Sequence, residues 1–80
     1  MDEVKFTKWI AENPILRARK KHGYTRNEVA VACGVGNGSV KNWEAGTQEP
    51  GGDNVVALSK ILEIDLTKEL EKWTERKPRL

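Results

Sequence analysis

The run Asn37-Gly38-Ser39-Val40-Lys41-Asn42-Trp43-Glu44-Ala45 holds the side chains best equipped for chemistry in this chain, and that chemistry is hydrogen bonding. An asparagine can bond an adenine edge at two places, and a good contact of that kind gives about 1–3 kcal/mol of discrimination. Asn37 and Asn42 are of this type. Ser39 can serve a base or a phosphate, and Lys41 can reach a guanine or a phosphate. Thr47 and Gln48 follow closely and carry donors suited to a sugar-phosphate backbone. Gly38 has no side chain to read with, but it can let another backbone approach closely. The bland alternative for Asn37 and Asn42 is a solvent-facing surface. Asn, Ser and Gly are poor helix formers, however, so helix propensity does not explain their choice.

Other chemistries find little support. Gly34-Val35-Gly36-Asn37-Gly38 superficially suggests a phosphate-binding loop, but no strand precedes it and no lysine-serine pair follows. There is no supported pair of acids, Cys/His cluster or nucleophile-base pair. The sequence makes no case for an enzyme, a metal or a cofactor. His22 reads as an exposed residue at a helix end. Cys33 reads as a packed thiol on a buried stripe.

These residues need helices to position them, and the punctuation supplies the boundaries. Asn13-Pro14 predicts a capped helix that runs to His22 and stops at Gly23. Thr25-Arg26-Asn27-Glu28 has the pattern of a capping box, opening a helix that ends at Gly34. Gly36 or Asn37 starts the next, with Val40 and Trp43 as its apolar pair and Gly46 as its stop. Gly52 or Asp53 is expected to cap a helix to Leu62, with Val55, Leu58 and Leu62 as a core stripe. Ile64 closes that segment. Asp65 can cap a last helix bearing Leu66, Leu70 and Trp73. Before all of these, Asp2 can cap a short helix carrying Val4, Phe6, Trp9 and Ile10. No stretch alternates as a strand. The chain reads as all-α, a compact five-helix domain over residues 13–73. Residues 1–12 form an N-terminal extension with a short helix, and residues 74–80 a basic, flexible tail.

Eighty residues make one small domain, too small for a large enclosed active site. The formal charge of +2 is modest, but its distribution is uneven. Arg17, Arg19, Lys20, Lys21 and Arg26 crowd one stretch, and Arg76, Lys77 and Arg79 crowd the end, which suits either a solvated face or contact with a nucleic acid. The single cysteine rules out an internal disulfide, and no apolar run suits a membrane span. The expected compartment is the cytoplasm.

The helices around 25–33 and 37–45, joined by Gly34-Val35-Gly36, have the form of a helix-turn-helix. The string Gly23-Tyr24-Thr25, Glu28-Val29-Ala30, Gly34-Val35, Val40, Trp43-Glu44, Gly46, Pro50 and Leu62 resembles the lambda-repressor-like, Cro or XRE type of that family. The resemblance implies that the helix from Asn37 enters a major groove of double-stranded DNA, as in a repressor-like transcriptional regulator of a phage or other mobile element. It places Asn37, Gly38 and Asn42 at base-reading positions, flanked by Ser39 and Lys41. It gives Thr25 and Arg26 to a phosphate at the start of the preceding helix, joined by Thr47 and Gln48. It pairs Arg19 with Glu44 as a structural tie. Gly36 departs from the family's usual serine or threonine, and Gly38 leaves a reading position bare. A homodimer is expected through Trp9 or the Leu66/Leu70/Trp73 region, although the same side chains could equally complete a single core. The other reading is a protein-interaction module on the same scaffold, an antitoxin or adaptor whose partner binds near Trp9 and Trp73.

Overall fold

Three glycines in the left-handed conformation, Gly23, Gly34 and Gly46, stop three successive helices. A side chain is strained at such angles, so the chain turns where glycine permits it. The computed structural model describes residues 2–79, without the side chain of Asp2, so the cap expected there lies outside the described residues, as does Leu80. The helices are α1 (Asp2–Ala11), α2 (Pro14–His22), α3 (Arg26–Cys33), α4 (Asn37–Ala45), α5 (Gly52–Leu62) and α6 (Leu66–Glu75). No strand occurs among the described residues.

Helix starts follow local chemistry. The Asn13 side chain accepts hydrogen bonds from the Ile15 and Leu16 amides at 2.9 and 3.2 Å, and Pro14 occupies the first turn. Thr25 and Glu28 close the capping box reciprocally, at 3.1 and 2.9 Å. These bonds hold the Glu28 carboxyl below its ordinary pKa, the Thr25 amide contributing most. Asp65 caps α6 through the Lys68 amide. The cap of α5 differs from expectation. It is Gly51, and Asp53 sits inside the first turn, where its charge still favours the helix start.

The core gathers Ile15, Ala18, Val29, Ala30, Val40, Trp43, Leu58, Leu62 and Leu66. Each large one contributes on the order of 1.5–3 kcal/mol by leaving water. Cys33, Val55 and Leu70 pack at its edge, half-buried. Burial pushes the Cys33 thiol above its ordinary pKa. Helices α2 and α5 form the centre, α2 packing against α4, α5 and α6, and α5 against α2, α3 and α6.

Beside the five helices from Pro14 onward stands a sixth, α1, where a short helix was expected in the extension, but it is packed into the five-helix domain and not apart from it. The reason is Trp9. Its indole stacks on Trp73 with ring centroids 3.8 Å apart and planes within 2°. Each indole N–H donates to the other residue's carbonyl, at 2.6 and 2.7 Å. Phe6 leans on Trp9, and the Lys77 ammonium lies 5.6 Å from the Trp9 ring. This corrects two further expectations. Trp9, Leu66 and Trp73 are buried within one chain and complete its interior, so they do not form an open self-association surface. The tail of 74–80 is also shorter than expected, because Thr74 and Glu75 continue α6 and Lys77 rests over Trp9.

Candidate nucleic-acid interface

Helix α4 is amphipathic in an unusual way. Val40, Trp43 and Glu44 are buried, while Asn37, Gly38 and Lys41 are exposed and Ser39 and Asn42 are half-exposed. The five expected reading residues therefore lie at the start and along the outer side of one helix. The far end of α4 is fixed by side chains from other helices. Its near end is held by backbone alone, since Gly36 provides no side-chain cap and the Ser39 amide bonds the Gly36 carbonyl at 3.1 Å.

The anchoring network centres on Glu44, which is 3% exposed. Arg19 grips it with two bonds, Nε to Oε2 at 2.7 Å and Nη2 to Oε1 at 3.1 Å. A further Arg19 nitrogen donates to the Tyr24 carbonyl at 3.0 Å. Hydrogen bonding to Glu44 raises the Arg19 pKa further, against the opposing effect of burial. Arg26 adds a bond from Nε to Oε1 at 3.1 Å. One carboxylate thus joins α2, α3 and α4. The pairing of Arg19 with Glu44 follows the resemblance. The second pairing, with Arg26, has no signal in the sequence beyond charge.

Asn13 contributes another tie that sequence reading misses. It is fully buried, and its Nδ2 donates to the Trp43 carbonyl at 3.0 Å while its oxygen caps α2. A single side chain therefore fixes the start of α2 to the end of α4. His22 also departs from expectation. It is half-buried, stacks on Tyr24, and its Nε2 donates to the Leu62 carbonyl at 2.8 Å, which assigns that nitrogen its proton.

The flanking residues differ in the hydrogen each has to offer. The Thr25 oxygen accepts from the Glu28 amide, so its hydroxyl hydrogen stays available to an anion. Arg26 is 43% exposed on its side chain and sits in the first turn of α3. The Thr47 hydroxyl instead donates to the Asn42 carbonyl at 3.2 Å. Its one hydrogen is engaged, which weakens the expectation that it holds a phosphate. Asn42 donates to the Gln48 side-chain oxygen at 3.3 Å, which leaves the Gln48 amino group as a donor and the Asn42 oxygen as an acceptor.

Among the described residues no three His, Cys, Asp or Glu side chains gather as a metal site, and no helix is long and apolar enough to cross a membrane. A helix-turn-helix family model matches residues 15–68. The HTH-type transcriptional regulator DicA of Escherichia coli (strain K12) is 37% identical over 62 residues, covering 76% of this chain and 46% of that protein. The chain thus spans about half the length of the curated relative it matches. No solved structure matches it significantly.

Proposed function

This chain belongs to the lambda-repressor-like, Cro/C1-type helix-turn-helix family, and from that premise we propose that it is a sequence-specific DNA-binding transcriptional regulator. Helix α4 lies in the major groove. The observation that carries the reading is the outer side of α4, short, polar and nearly uncharged, on a helix whose inner side is locked by Glu44, Trp43 and Val40. Asn37, Ser39, Lys41 and Asn42 contact base edges, and Gly38 lies among them. Thr25, Arg26 and Gln48 hold phosphates, while the Thr47 hydroxyl serves mainly to bond the Asn42 carbonyl.

The finer reading is a repressor-like protein of a phage or other mobile element, acting in the cytoplasm. Residues 13–73 carry the DNA-binding unit, and no catalysis is assigned to it. The alternative of an antitoxin or adaptor leaned on Trp9 and Trp73, and these indoles face each other. Of the expected dimer region Leu70 keeps partial exposure, and a homodimer would use it together with other residues. Palindromic half-sites about 34 Å apart in selected DNA would report it.

A gel-shift titration tests the reading. Asn37→Ala and Asn42→Ala should each weaken binding to a selected site by about 5- to 100-fold, with little effect on random DNA. Arg26→Ala should weaken both and lower the slope of log affinity against log salt by about 1. If all three variants bind like the wild type, this face does not bind DNA.

A further inference from the structure

Gly38 is the second residue of α4, on its exposed side. Among the glycines of the described residues, positive φ occurs at Gly23, Gly34 and Gly46 and not at Gly38, so the Gly38 backbone is one that any residue adopts. A Cβ placed there meets no atom within 4 Å. Neither backbone nor packing requires glycine, and helix propensity disfavours it. Gly36 repeats the pattern, with φ −79°, ψ 158° and open space at its Cβ. A serine there would cap α4 better. Gly46 is the contrast: its φ is 76°, and a Cβ would lie 3.1 Å from the Trp73 ring. The fold explains Gly46 and does not explain Gly38.

We propose that the bare backbone at Gly38 is a recognition element, a hollow on the reading side of α4 that receives the C5-methyl group of a thymine. This rests on the DNA-binding reading above. The thymine methyl is the apolar projection of the major groove and is read by apolar contact. The Gly38 methylene offers such a contact without a donor or acceptor. Lys41 and Asn42, three and four residues on, lie on the same side of the helix and border the hollow with polar groups. Those groups serve neighbouring base edges, and the absent Cβ lets the helix seat deeply enough for them to arrive.

The test uses the full chain and a duplex selected from random DNA. Each thymine of the site is replaced in turn by deoxyuridine, which deletes only the methyl group. One replacement should weaken wild-type binding about fourfold, the value of one buried carbon. Gly38→Ala should bind the thymine site on the order of tenfold more weakly and recover most of that loss on the deoxyuridine site. The same variant should melt about 2–8 °C higher, because the fold accepts alanine here. The proposal is overturned if Gly38→Ala binds the thymine site like the wild type, if it loses equally on both sites, or if it melts lower. A wild type that selects a site but ignores every methyl deletion refutes this inference alone. A wild type with no preferred sequence overturns the DNA-binding reading and this inference with it.

Discussion

Glu44 divides two oxygens among three N–H donors from Arg19 and Arg26. Removing the charge while keeping the shape would leave two guanidiniums crowded at a site that is largely dry. Breaking a buried ion pair from one side costs about 3–5 kcal/mol, and the partial exposure of Arg26 trims that. Glu44→Gln should therefore lower unfolding stability by about 2–4 kcal/mol, read as an earlier urea midpoint at unchanged slope. A loss below about 0.5 kcal/mol would mean that the network is ornamental. At this scale the sequence is only partly legible. The proposed base reading rests on residue types along α4 that are otherwise poor choices for a helix. The resemblance identifies Arg19 and Glu44. Nothing local shows that Arg26 shares Glu44, that Asn13 reaches the Trp43 carbonyl, or that the Thr47 hydroxyl is already engaged, because each depends on how the helices are packed.

Among the elements, the boundaries written in local chemistry are the legible ones. Asn13-Pro14, the Thr25 to Glu28 box, Asp65 and the three left-handed glycines act within one turn of chain, and each stands where its residue type predicts. The end of α5 is different. Glu63 adopts φ 55°, ψ 45°, a left-handed stop made by a residue unsuited to it. Tertiary packing overrides propensity here: Ile64 packs on the core, its amide bonds the Ser59 carbonyl, and the Leu66 amide bonds the Ser59 hydroxyl. A side chain in this region costs about 1–2 kcal/mol. Glu63→Gly should then raise the melting temperature by a few degrees, roughly 4 °C, since its side chain is exposed and lies a loose 3.8 Å from His22. A lower melting temperature would show that the contact with His22 outweighs the strain.

Across the whole molecule, charge and connectivity are sorted by the fold in ways composition conceals. Of the basic stretch from Arg17 to Arg26, Arg19 is engaged within the fold through three nitrogens, whereas Arg26 gives Glu44 only its Nε and stays partly exposed, so the stretch offers a polyanion one cation fewer than the sequence suggests. The two chain ends, separated by 64 positions at Trp9 and Trp73, meet face to face. That meeting has a kinetic consequence. Helix α2 and the pair α3–α4 make contacts that are close in sequence and can form early, whereas the indoles must find each other after nearly the whole chain is ordered. Interactions that form after the transition state slow unfolding without hastening folding. Trp9→Ala should accordingly steepen neither arm of the chevron but lift the unfolding arm by on the order of tenfold or more, with folding rates within about twofold of the wild type. Equal changes in both arms would place the paired indoles in the folding nucleus instead. On this view they act as a latch on lifetime: a small helical domain, marginally stable by size, would stay folded longer because its last contact to form is also a strong one.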